Sequence, residues 1–226
     1  MTLIIPHWPA PTTVHAFSST KEEGNMAIHT GREQLRKELS LVNDPLWLHQ
    51  IHSDIAIEYT DTVNLDTPPD ADASYTHLPH HPCLVMTADC LPILICNTAG
   101  TEVAAIHAGW RGVLNGIIEK TIKSLESPPS ELLAWLGPAI GPEALELNET
   151  IRLDFLTRNP QNGSAFKQRQ DSWYADIYEL GRICLRSVGV THLYGGGFCT
   201  YSESERFFSY RRAAITGRMA TLIFFA

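Results

Sequence analysis

Several common features are missing from this sequence of 226 residues, and each absence argues against a class of protein. No apolar run approaches the roughly 20 residues that a membrane span needs, and the first residues lack the basic region and long apolar core of a signal peptide. The five cysteines include no C-x-x-C pair, which argues against a disulfide framework or a zinc ribbon. Basic residues are outnumbered 17 to 25, so a large nucleic-acid or membrane-surface footprint is not expected.

The remaining composition is that of an ordinary soluble protein, with 44% hydrophobic and 19% charged residues. Its length fits one domain, and the short proline-rich pieces are connectors between elements, so we expect a single domain over residues 1–226. An odd number of cysteines is typical of free thiols in a reducing compartment, which predicts a cytoplasmic protein. We therefore expect small-molecule substrates, with no nucleic-acid or membrane partner.

Hydrophobic periodicity and turn residues predict a mixture of strands and helices. The predicted strands are Val14–Phe17, a pair between Leu46 and Tyr59, the run Cys83–Asn97, Glu102–His107, the short stretch "LLAWLG", and a β-rich end that includes "THLYGGGF", "RFFSYRR" and "MATLIFFA". The predicted helices are Gly31–Leu41, Gly112–Glu126 and two further segments near Asn148–Arg158 and Ala175–Val188. Hairpins among these strands favour an α+β fold over a strictly alternating parallel one.

The stretch "TADCLP" places a carboxylate and a thiol inside an apolar run, where each is costly to bury without a partner. If Asn97 faces Gly100 in the turn "NTAG", then Cys90 stands opposite His107 in the neighbouring strand. The hairpin thus predicts that a thiol and an imidazole meet at one end of the sheet.

Three interpretations fit this pair. With a third ligand from "LHQIHSD", either His49 or His52, it makes an open zinc site, and the same ligands also accept copper. Without a metal, a Cys–His pair can form an activated nucleophile. A buried cysteine beside a hydrogen-bonded histidine is the purely structural interpretation.

Charged residues near these motifs suggest a substrate site. Arg111, four residues after His107, can bind an anion or pair with a surface acid. Arg211 and Arg212 point to opposite faces if they lie on a strand, so at most one of them binds phosphate in a given pocket. Asp89 can orient a ligand, accept a proton or bind backbone on the other face of the strand.

Motifs over most of the chain are similar to those of one family. "QIHSD", "DADASYT", "TADCLPILI", "AAIHAGWRGVLNGI", "LGPAIGP", "GGGFCTYSE" and "FFSYRRAAITGRMATLI" occur in order. They resemble the YfiH-like laccase-domain family, once named multicopper polyphenol oxidases and later labelled purine nucleoside phosphorylases or peptidoglycan editing factors. The resemblance implies an α/β sandwich with mixed, largely antiparallel sheets and flanking helices.

The resemblance also implies a set of site residues. Zinc, or copper in its place, is expected on His52, Cys90 and His107, which selects His52 over His49. Cys90, His107, Arg111 and Asp89 are then the candidate catalytic residues. The candidate substrate- and phosphate-binding residues are Asn25, His29, Arg211 and Arg212.

Three activities follow from the resemblance as hypotheses. The first is a zinc-dependent purine nucleoside enzyme that phosphorolyses adenosine, inosine, guanosine and methylthioadenosine and deaminates adenosine. The alternative is a peptidoglycan editing factor that hydrolyses L-serine from a UDP-muramyl precursor. A copper polyphenol oxidase is disfavoured, because laccase-type copper centres need more histidine ligands than this constellation offers.

Overall fold

A computed structural model describes residues 3–226, and in this part of the chain it contains twelve strands and five α-helices. The strands are β1 (Val14–Ser18), β2 (Ala56–Glu58), β3 (Ala73–Thr76), β4 (Cys83–Thr87), β5 (Leu91–Asn97), β6 (Val103–Ala108), β7 (Leu132–Leu136), β8 (Glu146–Leu147), β9 (Phe166–Arg169), β10 (Ser172–Ala175), β11 (His192–Gly195) and β12 (Met219–Phe225). The helices are α1 (His29–Glu38), α2 (Trp110–Asn115), α3 (Ile117–Ser124), α4 (Glu149–Arg158) and α5 (Ile177–Ser187). No helix among the described residues has both the length and the apolar character of a membrane span.

Three sheets organise these elements. The largest has six strands in the order β11-β7-β5-β6-β3-β2, and the other two have the orders β1-β12-β4 and β8-β10-β9. Only the pairs β7–β11 and β2–β3 are parallel; the other strand pairs named here are antiparallel. The predicted α+β class with mixed, largely antiparallel sheets is therefore confirmed.

The alternation of side chains along β5 explains how the layers stack. Ile93 and Ile95 belong to the apolar cluster that includes residues of α3 and α5, whereas Leu94 and Cys96 belong to a second cluster with strands β4 and β12. Both faces of this strand are buried, which is why its sequence reads as a continuous apolar run. On the outer face of the β1-β12-β4 sheet, Leu35 of α1 packs with residues of β4 and β12.

The run predicted as one strand over Cys83–Asn97 is two strands in different sheets. Strand β4 ends at Thr87 and pairs with β12, and β5 begins at Leu91 and pairs with β6 and β7. Between them the chain turns a corner, where Asp89 has a φ of 98°. Cys90 lies at this corner, just before the first residue of β5, and is not part of either sheet.

The predicted hairpin register was also wrong, by two residues. Cys96 pairs with Val103 and Pro92 pairs with His107, so Cys90 has no partner in β6. The error arises because the connection between β5 and β6 has more residues than the assumed two-residue turn. A shift of two preserves the faces of a strand, so His107 still lies on the expected side.

Three other sequence predictions need correction. Residues 46–55 do not form a named strand and make only isolated bridges at Leu46 and His49. The helix predicted over Gly112–Glu126 is divided into α2 and α3 at Gly116, whose φ of 99° is left-handed. The segment "RFFSYRR" is irregular, so the strand argument about Arg211 and Arg212 does not apply.

Candidate metal centre and cavity

The side chains of His52, Cys90 and His107 converge at one point. Each offers one nitrogen or sulfur atom, and these atoms lie within 4.8 Å of one another. Cys90 Sγ is 3.7 Å from His52 Nε2, and the two imidazole rings meet edge to face with centroids 4.9 Å apart. Among residues 3–226 this is the only group of three or more His, Cys, Asp and Glu side chains with such geometry.

The three residues come from separate segments that the fold brings together. His107 lies near the end of β6, Cys90 stands at the corner before β5, and His52 lies in a loop with a left-handed φ of 58°. Gly109 packs directly against two of these side chains: a Cβ atom at this position would lie 2.9 Å from Cys90 Sγ and 3.0 Å from His52 Cδ2. The glycine in "HAGW" therefore leaves room for the ligands.

A buried carboxylate, Asp72, holds two of the three segments in place. Its Oδ1 is 2.7 Å from His107 Nδ1 and accepts the backbone N–H of His52 at 3.1 Å. Its Oδ2 accepts the backbone N–H of Ser53 at 2.5 Å and the Ser53 hydroxyl at 2.6 Å. With Nδ1 of His107 bound in this way, Nε2 is the nitrogen left to face the centre, as in carboxylate–histidine–metal arrangements.

Electrostatics at the centre favour a charged thiolate. Burial acts to raise the pKa of Cys90, but the charge and hydrogen bond of His107, with those of His52, lower it to about 6. Burial acts to lower the pKa of His107, but the Cys90 charge and the hydrogen bond to Asp72 raise it to about 9. Burial acts to raise the pKa of Asp72, but hydrogen bonds from His107 and Ser53 lower it to about 2.

The centre opens into a cavity of about 870 Å³. Apolar and aromatic side chains, among them Trp110, Leu145 and Tyr210, form part of its wall. Arginines also line it, including the predicted Arg111, whose guanidinium carbon is 4.2 Å from the centroid of the Trp110 ring. A cavity of this size that combines apolar walls with converging polar groups is typical of a small-molecule site.

The remaining predicted residues fall into two groups. Arg211 and Asp89 line the cavity. The guanidinium of Arg212 donates to backbone carbonyls of Thr200, Tyr201 and Phe207, so it stabilises its own loop. The structure does not bring Asn25 or His29 to the cavity wall: the Asn25 amide oxygen accepts backbone N–H groups, and His29 is exposed beside Glu33.

Asp89 has a clear structural role. Its Oδ1 accepts the Thr200 hydroxyl at 2.6 Å, and its Oδ2 accepts the Ser209 hydroxyl at 3.1 Å and the backbone N–H of Arg211 at 2.6 Å. Both carboxylate oxygens are therefore engaged with the loop before β12. The carboxylate in "TADC" holds the segment that carries Arg211, and none of its side-chain hydrogen bonds goes to a metal ligand.

Sequence reasoning missed Asp72 and Arg32 and assigned no role to Arg218. Asp72 lies in the polar stretch "DADASY", where no local pattern marks it as buried, and only the folded chain shows that it is fully buried and needs partners. Arg32 and Arg218 are distant in sequence from the ligands, and only the folded chain shows that they line the same cavity.

Proteins similar to this chain carry one recurring name. "Purine nucleoside phosphorylase YfiH" of Escherichia coli is 45% identical over 239 residues, covering 98% of this chain and 98% of that protein. "Purine nucleoside phosphorylase" of Haemophilus influenzae is 38% identical over 248 residues, covering all of both proteins.

Solved structures of similar proteins share the fold of this chain. A Neisseria meningitidis protein of 38% identity superposes with a TM-score of 0.93 and covers 100% of this chain and 99% of its own. YlmD from Geobacillus stearothermophilus, at 26% identity, has a TM-score of 0.86 and covers 96% of this chain and 93% of its own. The model of the family described as "Multi-copper polyphenol oxidoreductase laccase" matches residues 11–226, and the chain belongs to that family.

Proposed function

We propose that this protein is a zinc-dependent purine nucleoside phosphorylase. The observation that carries the proposal is the convergence of His52, Cys90 and His107 within 4.8 Å at a cavity lined by arginines and aromatic rings. The names of the relatives support the reaction class. Five free cysteines suit a reducing compartment, which supports a cytoplasmic setting.

The donor set fits zinc well. One thiolate and two imidazoles, with a fourth position left for a ligand, are typical of catalytic zinc sites. The lowered pKa of Cys90 provides the thiolate near neutral pH. Asp72 binds Nδ1 of His107, so Nε2 is the nitrogen that would ligate a metal after losing its proton. Zinc bound here would act as a Lewis acid and lower the pKa of a water molecule in the open position. Copper also accepts these ligands.

The residues around the centre suit a nucleoside and a phosphate ion. Trp110 and Tyr210 offer aromatic faces for a purine base, and Arg111 and Arg211 offer guanidinium groups for phosphate. In phosphorolysis a phosphate oxygen forms a bond to C1′ of the ribose while the bond from C1′ to the purine nitrogen breaks. The purine leaves with the bonding electrons and takes up a proton. The arginines orient the phosphate for this attack.

A product assay with the metal-loaded protein tests the proposal. Adenosine, inosine, guanosine and methylthioadenosine are each supplied with and without phosphate, and free base and the sugar 1-phosphate are measured. We expect phosphate-dependent cleavage, and loss of it in Cys90→Ala and His107→Ala proteins that remain folded. Adenosine deamination, which belongs to the same proposal, is measured as phosphate-independent release of inosine and ammonia. If all four nucleosides stay intact with phosphate present, phosphorolysis is excluded.

Amide hydrolysis of a UDP-muramyl precursor is the second candidate, because the cavity has more arginines than one phosphate ion needs. The same centre would then act at the amide carbonyl of a wrongly added L-serine. A deletion strain distinguishes the two: accumulation of serine-containing muropeptides favours the editing reaction, and unchanged muropeptides argue against it.

Polyphenol oxidation has less support, despite the family description. The described residues hold one candidate group of three ligands, whereas a multi-copper centre needs several more histidines. Zinc-loaded and copper-loaded protein should both be assayed with a phenol. Oxidation at a rate comparable with nucleoside cleavage would favour the oxidase.

A further inference from the structure

Arginines with no carboxylate partner are concentrated in the cavity. Those that line it are Arg32, Arg111, Arg211 and Arg218, and none of them forms an ion pair within the described part of the chain. In contrast, the arginines that form ion pairs with carboxylates all lie outside the cavity: Arg36, Arg152, Arg158, Arg169, Arg186 and Arg206. The protein as a whole carries a net charge of −8, so the cavity is locally opposite in sign.

Asp89 is the only acidic side chain among the described residues that line the cavity. Its two carboxylate oxygens already accept hydrogen bonds from Thr200, Ser209 and the backbone of Arg211. The carboxylate therefore does not neutralise the guanidinium groups. Arg32 and Arg218 are partly buried, whereas Arg111 and Arg211 are exposed. Partly buried cations without counterions are costly unless an anion completes the site, so Arg32 and Arg218 point to an anionic ligand.

Two of these arginines are held by one short segment. Arg32 Nε donates to the backbone carbonyl of Met26 at 3.0 Å, and the backbone N–H of Met26 donates to the carbonyl of Arg218 at 3.0 Å. The backbone N–H of Arg218 donates to Asn25 Oδ1 at 2.9 Å. Met26 is fully buried, so it fixes both arginines to the core between α1 and β12.

The guanidinium of Arg32 is well prepared for a ligand. Its carbon is 4.3 Å from the centroid of the Trp47 ring, which fixes its plane. Burial lowers its pKa from the ordinary value. Only Nε is used in the hydrogen bond to Met26, so its other N–H groups are available to an oxyanion. Arg218 uses Nη1 for the carbonyls of Thr216 and Gly217 and keeps donors on its other nitrogens.

This pair is separate from the arginines assigned to phosphate. Arg111 follows the metal-ligand strand β6, and Arg211 is fixed by Asp89 and donates to the carbonyl of Glu146. Arg218 instead precedes Met219, which pairs with Thr87 at the end of β4. Different parts of the chain thus hold the two pairs of arginines: Met26 contacts Arg32 and Arg218, whereas Asp89 fixes Arg211. Its volume of about 870 Å³ is in the upper part of the 300–1,000 Å³ range of ligand pockets.

We infer that Arg32 and Arg218 form a second anion-binding subsite, which takes the phosphate ester of a nucleotide bound with its sugar near the metal centre. The inference rests on the proposed function, in which Arg111 and Arg211 bind the phosphate that attacks. It extends the substrate class from free nucleosides to nucleoside phosphates. The planar guanidinium groups suit the oxygens of a phosphate monoester through paired hydrogen bonds.

Calorimetric titration of the metal-loaded protein with adenosine, adenosine 5′-monophosphate and uridine diphosphate tests the subsite. We expect the monophosphate to bind at least about tenfold more tightly than adenosine, the scale of a charge-assisted hydrogen bond. Binding of uridine diphosphate that weakens in Arg32→Gln and Arg218→Gln supports the subsite, and binding that both variants leave unchanged counts against it. In each of the variants Arg32→Gln and Arg218→Gln, the ratio of the affinity for the monophosphate to the affinity for adenosine should fall toward one. Arg36→Gln is the matched control, because Arg36 lies on the same helix, pairs with Asp44 and does not line the cavity.

The outcomes separate this inference from the proposed function. Equal binding of adenosine and its monophosphate by the unmodified protein overturns the subsite, as does a preference that survives in both folded variants. A weaker affinity of Arg32→Gln for inorganic phosphate alone, with the nucleotide preference intact, also overturns it. Failure of phosphorolysis would leave the nucleotide preference and its loss in the variants unchanged, so the two results are distinguishable.

Discussion

At the scale of single residues, Gly109 provides the most direct test of the metal centre. Replacing it with alanine would place a methyl group 2.9 Å from Cys90 Sγ, closer than real Cβ atoms approach, and 3.0 Å from His52. We expect Gly109→Ala to fold but to bind zinc at least about tenfold more weakly, as ligand misplacement does in metal sites. Metal content after dialysis and a competitive chelator titration measure this change.

The control for this substitution is Gly163→Ala. Its added Cβ would meet only a Leu156 methyl group, at 3.3 Å, and it lies away from the cavity. Gly163→Ala should bind zinc as the unmodified protein does. Normal zinc affinity in Gly109→Ala would show that Cys90 and His52 do not need their present spacing.

Asp72 should be the residue outside the ligand set whose loss weakens metal binding most. Asp72→Asn removes the charge beside His107 and leaves a donor group facing the N–H groups of His52 and Ser53. Loss of such a partner typically lowers metal affinity by about 10–100-fold. We expect this loss in a chelator titration, together with lower stability to urea.

The stability effect of Asp72 should depend on pH. Its folded pKa of about 2 is below the ordinary value of 3.8, so the carboxylate stabilises the fold above about pH 4. That contribution disappears as the pH falls toward 2. The urea concentrations at which the unmodified protein and Asp72→Asn unfold should then be closer than at neutral pH. Asp70→Asn, beside the exposed His49, is the control and should change neither property. A normal affinity in Asp72→Asn would contradict the role assigned to Asp72.

The free cysteines should differ in reactivity in a way that reports metal occupancy. Burial raises the pKa of three thiols to about 12, and these should stay unlabelled in the folded protein: Cys83, Cys96 and Cys184. Burial also acts to raise the pKa of Cys199, but hydrogen bonds from Ser202 and Gly141 leave it below its ordinary value. Cys199 should therefore react with iodoacetamide at neutral pH with or without metal.

Cys90 should react only after chelation, because its thiolate is then free at pH values above about 6. Peptide mass spectrometry of labelled protein, before and after treatment with a chelator, measures both sites. Cys199 serves as the internal control for reagent and pH. Equal labelling of Cys90 in zinc-loaded and chelated protein would show that its sulfur does not ligate the metal.

At the scale of elements, the corner between β4 and β5 shows what the sequence could and could not predict. The apolar run and its partner strand were predicted, because a strand that is buried on both faces reads as continuous hydrophobic sequence. The register was not predicted, since it depends on the conformation of residues 97–102, which a turn-like composition leaves open. Cys90 therefore meets His107 through the corner, although the predicted cross-strand pairing is absent.

The boundaries of helices and strands follow local chemistry only in part. Helices α4 and α5 begin after Asn148 and Asp176, whose side chains accept the N–H groups of Ile151 and Glu179, and both helices were predicted close to their observed bounds. Residues 46–55 belong to the strand pair predicted between Leu46 and Tyr59 and form no named strand. Within this segment, residues 51–53 are instead held by hydrogen bonds to Asp72, a tertiary contact that no local pattern contains.

The loop that carries Arg211 should depend on Asp89. Asp89→Ala removes the acceptor of three hydrogen bonds and leaves buried donors on Thr200 and Ser209 unpaired. We expect a loss of about 2–4 kcal/mol in the free energy of unfolding, and faster proteolysis within residues 199–216. Denaturant titration and limited proteolysis with mass spectrometry measure the two effects.

Asp154→Ala is a suitable control for Asp89, because Asp154 is exposed on α4 and should leave both measurements unchanged. Stability and protease resistance like those of the unmodified protein would show that Asp89 is not the anchor of this loop. The position of Arg211 in the cavity would then need another explanation.

At the scale of the whole molecule, the layered fold explains why the centre exists at all. His52 comes from a loop, Cys90 from the corner between two sheets, and His107 from the end of a central strand. The packing of the β1-β12-β4 sheet against the six-stranded sheet brings these segments together. A metal bound to all three would cross-link parts of the chain that are 55 residues apart in sequence from the first ligand to the last.

Because an unfolded chain does not present these ligands together, metal binding should stabilise the folded protein as a whole. At a free zinc concentration of about 1,000 times Kd, the expected stabilisation is about 4 kcal/mol. For a protein of this length that corresponds to a rise in Tm of about 8–16 °C. Thermal unfolding with added zinc and with excess chelator measures the difference. Cys90→Ser, which lacks one ligand, should unfold at nearly the same temperature in both conditions, whereas an equal Tm for the unmodified protein in both would mean that zinc does not bind this site in the folded state.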